Sequence, residues 1–263
     1  MGTLAWASVP SFFRERGCAM MRCYLPPDRW AGAETELDED ESKHLTGVMR
    51  AREGERIGVL DGEGRIGEAE VVEAHKKRTR IRLVSQAAVA AVAPRRILVQ
   101  ALVREQKMDW LIQKAVELGA REIWPVQTEQ AVVRIRPEEA EKKAARWQAI
   151  ALGACKQSGN PWMTRIAPVR SLAGALAALP PGGAACFGAL GEGAEPLSAF
   201  LGRLRREGCP GLAMFIGPEG DFSAGEVEAL RAAGVRPVTF GPVVFRVETA
   251  ALFILSCVQY AWQ

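Results

Sequence analysis

Apolar and polar positions alternate in two different ways along this chain. From Met21 to about Gln86 the apolar runs are short, broken by glycine turns and often spaced two apart. "ERIGVLDGEGRIGEAEVVEA" sets Ile57, Val59 and Ile66 around Asp61-Gly62 and Gly64, a hairpin signature, and "TRIRLV" alternates polar with apolar. These segments predict a small β-rich domain, barrel or sandwich, over 21–90, and "AAVAAVAP" reads as the connection out of it. Beyond Pro94 the period changes. "RILVQALV" predicts a strand, and "KMDWLIQKAVELG" a helix with Leu111, Ala115 and Leu118 on one face and Gly119 as its stop. "EIWPV", "AACFGAL", "LAMFI" and "PVTF" are further strands. Pro137 opens a long helix with an acidic first turn and a stripe of Ala140, Ala144, Trp147, Ala151 and Ala154. "PLSAFLGRLRREG" is a helix burying Leu197, Phe200, Leu201 and Leu204. Strands alternating with helices over 94–263 imply an α/β domain with a mostly parallel sheet covered on both faces. The last helix, Thr249 to Trp262, is apolar nearly all round, which suits burial against a second subunit.

One element carries the candidate chemistry. In "AMFIGPEGDFSAGEVEALRAAG" a buried strand ends at Gly217-Pro218, turns through Glu219, Gly220 and Asp221, and restarts as a helix at the capping box Ser223/Glu226. "TFGPVVFRVETAAL" repeats that plan, with Gly241-Pro242 after its strand. A strand, a glycine loop and a helix form the place where α/β proteins hold ligands, and two such loops at carboxyl ends of strands can wall one pocket. Neither loop is a phosphate cradle. No GxxxxGK[ST] occurs, and "GALGEGAEP" offers only Gly191-x-Gly193 in place of a dinucleotide fingerprint. Two carboxylates in the first loop would repel a phosphate and suit a neutral or cationic ligand gripped by main-chain groups.

Composition narrows the setting without changing it. The chain has 263 residues, 48% hydrophobic and 25% charged, the profile of an ordinary globular protein. No apolar run approaches the roughly 18 residues of a membrane helix. Residues 1–20 lack a basic start and carry Arg14, Glu15 and Arg16, so they are read not as a signal peptide but as an extension or an upstream start, with no function assigned. Cys18, Cys23, Cys155, Cys186, Cys209 and Cys257 form no CxxC pair and have only His44 and His75 to help. The expectation is no metal, no disulfide framework and a cytoplasmic location. A net charge of +3 argues nothing alone. The signs are segregated, however: "ETELDEDE" is acidic, and "HKKRTRIR" is basic at six of eight positions. The basic run can lie along a phosphate backbone, or be a solvated edge strand protected by its charges; by itself it favours the second.

The pair "FIGPEGDFSAGEVEAL" and "FGPVVFRVETAAL" closely resembles the signature of the small-subunit ribosomal RNA uridine-N3 methyltransferases, within the SPOUT superfamily. So do "KMDWLIQKAVELGAREIWPV", "RWQAIALGACKQSG", "MRCYLPP" and "HLTGVMRAREGERIGVLDG", which together span nearly everything from Met21 onward. The resemblance implies a PUA-like RNA-binding barrel over 21–90, then a methyltransferase domain over 94–263 with a trefoil knot. It also implies a homodimer, 16S ribosomal RNA or the small subunit as partner, and S-adenosylmethionine as the ligand of the two loops. On that footing Ile216, Gly217, Glu219 and Gly220 from the first loop are expected at the cofactor. Phe240, Gly241, Pro242, Phe245 and Thr249 join them from the second, with Leu190 as a further apolar wall.

Methylation at N3 of a uridine requires an accessible base, loss of the N3 proton and in-line approach to the methyl carbon. Arg246 is the leading catalytic candidate, since a guanidinium can stabilise negative charge on the uracil oxygens; its competing role is a tie to a carboxylate such as Glu248. Glu248 is either a base or a favourable charge at a helix start. RNA contacts are assigned to Arg22, His44, Arg50, Arg52, Lys76, Lys77, Arg78, Arg80 and Arg82. Buried structural duty is an equal alternative for His44. Lys107 and Arg134 could extend the basic surface. Four positions depart from the pattern that the family usually shows: Gln130, Asn160 and Val243 replace arginine, and Lys156 replaces glutamate. Competing readings are an RNA-binding protein of the same fold without catalysis, and a nucleotide enzyme on an ordinary doubly wound sheet.

Overall fold

The structure, a computed structural model, describes residues 21–189, 191 and 193–263. The extension at 1–20 and the expected wall residue Leu190 lie outside the described residues. The chain divides into two compact units. One holds the residues through Ala91 together with Leu152–Met163; the other holds Val92–Ala151 and Thr164–Gln263. The sequence boundary near residues 90–94 contains no hint that 152–163 groups with the first unit.

The first unit is built on β1 (Arg22–Tyr24), β2 (Glu34–Glu36), α1 (Glu39–Lys43), β3 (Arg56–Leu60), β4 (Arg65–Glu73) and β5 (Arg80–Ala88), with α1 running into a π turn at His44–Val48. Its sheet has the order β1-β3-β4-β5-β2, antiparallel except for the β1–β3 pair. The β3–β4 hairpin follows from Asp61: its buried carboxylate accepts from the Glu63 and Arg65 amides, while Gly62 and Gly64 take φ of 74° and 99°. A side chain at Gly64 would collide with the Trp162 ring. The alternating apolar residues Ile57, Val59, Val71 and Ile81 meet Cys23, Leu25 and Trp30 in the core. Opposite-charge runs find each other across strands: β2 and β5 pair with Glu34 opposite Arg82 and Glu36 opposite Arg80, so the acidic and basic segments are one ladder. β5 therefore lies between β4 and β2 and is not the edge strand that its charges suggested.

The second unit contains β6 (Arg95–Ala101), α2 (Glu105–Glu117), β7 (Glu122–Gln127), α3 (Pro137–Ser158), β8 (Arg165–Ile166), β9 (Arg170–Ser171), α4 (Leu172–Ala177), β10 (Ala184–Gly188), β11 (Glu195–Pro196), α5 (Leu197–Arg206), β12 (Gly211–Ile216), α6 (Ala224–Ala232), β13 (Arg236–Thr239) and α7 (Val247–Ala261). The sheet order is β11-β13-β10-β12-β6-β7-β8, with β9 also on β7. Its pairings are parallel. Ile97, Val99, Phe187, Ala213 and Phe215 form one side of the core with Trp124, Phe222 and Leu230. The helix patterns hold: α5 buries Leu197, Phe200, Leu201 and Leu204, and α3 buries Trp147, Ala151 and Ala154. α7 begins two residues before the expected Thr249.

The end of α3 explains two residues of the first unit. Arg22 is buried, and its guanidinium donates to the carbonyls of Lys156 and Gln157 at the helix terminus, a favourable place for a cation. Glu41 is buried as well; it accepts from the Tyr24 amide at 3.1 Å and from Lys156 Nζ at 2.6 Å. Lys156, where the family resemblance led one to expect glutamate, thus neutralises a buried carboxylate. Burial, reinforced by that same Glu41 charge, pushes the Cys23 thiol up, and burial does the same at Cys186, so both behave as core side chains rather than reactive thiols. Lys156→Met should leave Glu41 as an uncompensated buried charge and cost about 3–5 kcal/mol in urea unfolding, whereas Lys156→Arg, which keeps the positive charge, should retain most of the stability. An unchanged unfolding midpoint for the methionine variant would show that the pair contributes nothing.

Candidate active site

The two Gly-Pro loops meet because β13, β10 and β12 are neighbours running the same way. Their carboxyl ends release three loops side by side, after Gly188, Ile216 and Thr239. A cavity of about 130 Å³ lies between them. Main chain and small residues form one part of its lining: Gly188, Ala189, Ile216, Gly217 and Pro218. Phe240, Val243, Val244 and Phe245 form the apolar part, with Val247 and Ala250 of α7 behind them. The acidic part is Glu219 and Asp221.

Close approach accounts for the glycines. A Cβ at Gly188 would stand 3.1 Å from the Phe240 ring, and one at Gly217 would stand 3.3 Å from both Asp221 and the Phe222 ring. The first loop is a self-contained turn: the Asp221 amide donates to the Pro218 carbonyl, Asp221 takes φ 64°, and its carboxylate accepts from the Phe222 amide. The capping box at Ser223 and Glu226 then starts α6. Glu226 also accepts from the Glu129 amide, which fixes the loop after β7 beside it. The second loop leans on aromatic packing, with the Phe240, Phe245 and Phe253 centroids 5.1–6.2 Å apart.

The expected cofactor residues divide. Ile216, Gly217, Glu219, Phe240 and Phe245 line the cavity. Gly220 instead backs onto Gln130, whose Oε1 lies 2.7 Å from where its Cβ would be. Gly241 borders a separate apolar cavity of about 820 Å³ between α5 and α7. Pro242 and Thr249 are exposed and are not among the lining residues of either. Gly188 and Ala189 escaped the sequence reading, although "AACFGAL" ends its strand with the glycine and alanine that such a site needs.

Arg246 is exposed and stands at the N-cap position of α7. The tie to Glu248 does not form: the partner of Glu248 is Lys107, 3.5 Å away. The same ammonium is 3.3 Å from Glu219. Among the residues assigned to RNA, Arg22 is buried in its helix-capping role, and Arg80 and Arg82 are committed to Glu34, Glu70 and Glu73. Lys76, Lys77 and Arg78 occupy the exposed turn between β4 and β5, and Arg50 and Arg52 are exposed as well. His44 is half-buried at the start of the π turn.

Residues 92–259 match the RNA methyltransferase domain family, and residues 37–84 the RNA methyltransferase PUA domain family. The chain is 30% identical, over 86% of each sequence, to ribosomal RNA small subunit methyltransferase E of Mycobacterium bovis. This chain belongs to the small-subunit ribosomal RNA methyltransferase E family. Among solved structures it resembles the family enzyme of Neisseria gonorrhoeae bound to S-adenosylmethionine, with a TM-score of 0.82, 29% identity and coverage of 92% of this chain and 98% of that one. A methyltransferase of Legionella pneumophila in complex with the same cofactor gives 0.83, 29% and the same coverage. The fold is thus a PUA-like unit with a SPOUT-type α/β unit.

Within this family frame the four departures have places. Gln130 packs on Gly220, Lys156 neutralises Glu41, and Asn160 accepts from the Trp162 amide. Val243, 64% exposed, lines the cavity where the family usually sets an arginine. Gly241 has φ 111° and open space around its Cβ position, so its requirement is conformational rather than steric. Gly241→Val should therefore destabilise the protein by about 1–3 kcal/mol in thermal unfolding. An unaltered melting temperature would mean that the loop does not need this conformation.

Proposed function

We propose that this protein transfers a methyl group from S-adenosylmethionine to N3 of a uridine in 16S ribosomal RNA. The observation that carries the reading is the convergence of both loops on one cavity, with the exposed Arg246 in sequence between two of its lining residues, Phe245 and Val247. The lining suits the cofactor: apolar rings for an adenine, main chain for its polar edge, and the Glu219 and Asp221 carboxylates for a positive sulfonium. S-adenosylmethionine, when bound, supplies an electrophilic methyl carbon. At about 130 Å³ the cavity is below the roughly 300–1,000 Å³ usual for such ligands, so the loop through Val243 and Val244, both largely exposed, yields on binding. Ile216, Gly217 and Glu219 hold the cofactor from one side and Phe240 and Phe245 from the other.

The remaining chemistry belongs to the RNA base. A uracil turned out of its stack loses the N3 proton, and negative charge gathers on its carbonyl oxygens. Arg246, unpaired with Glu248 and exposed, offers its guanidinium to that charge. Glu248, paired with Lys107 in the first turn of α7, is assigned the part of accepting the proton, with a favourable charge at the helix start as its alternative. The exposed cations Arg50, Arg52, Lys76, Lys77 and Arg78 hold the RNA backbone, with His44 beside them, while Arg22, Arg80 and Arg82 keep the unit in shape. The apolar cavity bordered by Leu197, Leu201, Phe253, Cys257 and Tyr260, the last 79% exposed, supports a homodimer. The cytoplasm is the proposed location, and a knotted carboxyl-terminal segment is expected with this fold.

Calorimetric titration with S-adenosylmethionine, against NAD as control, should give saturable binding of the first alone. Hydrogen exchange at 240–246 should slow on the same addition. Binding of neither, with and without small subunits, would overturn the reading. Arg246→Ala should lower methyl transfer, read by mass spectrometry of the RNA, by about 100-fold or more while leaving cofactor affinity within a few-fold. Equal losses in both would make Arg246 a structural tie.

A further inference from the structure

Lys107 stands near the start of α2, away from both Gly-Pro loops in sequence. Its ammonium is 3.3 Å from Glu219 Oε1 and 3.5 Å from Glu248 Oε2. Glu219 belongs to the loop after β12 and lines the cavity, while Glu248 is in the first turn of α7, two residues after Arg246. One cation therefore joins the two chain segments that bound the site. Glu248 Oε2 is buried and has no hydrogen-bond partner, which leaves the Lys107 charge as what it faces. Among the described residues, the other side-chain and turn hydrogen bonds of these loops stay within each loop: Asp221 to Pro218 and Phe222 in the first, Thr239 to Gly241 in the second. No hydrogen bond among the described residues runs from one to the other.

We infer that Lys107 is a positioning residue for methyl transfer, an electrostatic clasp that sets the start of α7, and with it Arg246, against the cofactor-facing loop. The inference rests on the methyltransferase reading above. Its physics is direct. Two carboxylates lie within 3.5 Å of a single nitrogen, so without that nitrogen they face each other uncompensated and repel. Most of the cofactor's grip, the main chain and apolar rings within each loop, does not involve Lys107 and survives such a change, and Glu219 keeps its negative charge. The distance between the methyl donor and the charge-stabilising guanidinium does not, and rate responds steeply to errors of an ångström.

The test uses the full chain and the variants Lys107→Met, Lys107→Arg and Lys107→Met with Glu219→Gln. Lys107→Met should lower kcat about 10- to 100-fold, with the S-adenosylmethionine Kd within about threefold and the KM for RNA little changed. Arginine should restore most of the rate, since its fork can reach both carboxylates. Adding Glu219→Gln to Lys107→Met should recover part of kcat by removing the repulsion. A raised KM for RNA at full kcat would overturn the clasp and make Lys107 an RNA-facing cation. A Kd that rises in step with the loss of kcat would make it part of the cofactor wall. A wild-type protein that neither binds the cofactor nor methylates RNA would sink the methyltransferase reading instead. The clasp is then judged by unfolding midpoints: non-additive shifts for Lys107→Met and Glu248→Gln support it, and additive shifts overturn it.

Discussion

Strand direction governs the second unit. Its paired strands run parallel, so they end at the same edge, and the helices that return the chain cover the faces. The edge is thus left to loops. With β13, β10 and β12 adjacent, three of those loops emerge within reach of one another, and the glycines at 188 and 217 let ring and backbone come into van der Waals contact. A site made this way depends on main-chain geometry more than on any one side chain.

The charges around the cavity are arranged in depth. Glu219 and Asp221 face the cavity, Lys107 stands behind Glu219, and Glu248 behind Lys107. Arg246 is left outside this chain of neutralisation. A similar economy operates in the first unit: Arg80 and Arg82 satisfy the acidic residues of neighbouring strands, and Lys76, Lys77 and Arg78 stay exposed in the turn between them.

Helices and strands with strong periodicity were legible from local pattern. The stripe in α5, the hairpin at Asp61-Gly62 and the capping box at Ser223 all rest on contacts within a few residues of each other. Pairings between distant segments were not. Nothing near Glu34 announces Arg82, and nothing near Lys156 announces Glu41, because the chain brings them together only through the sheet order and the return of 152–163 to the first unit.

By itself the sequence determined the α/β alternation, the two Gly-Pro loops and, through several spaced motifs, the family. These are properties of short stretches, where backbone preference and apolar period act directly. Tertiary structure alone decided which members of a motif line the cavity. Gly217 and Gly241 read alike in sequence, yet one lines the cavity and the other turns away at φ 111° beside a different one. It also decided that Arg22 is a helix cap and that Lys107 joins two loops, since burial and charge neutralisation are settled by which segments touch, and local sequence does not encode that.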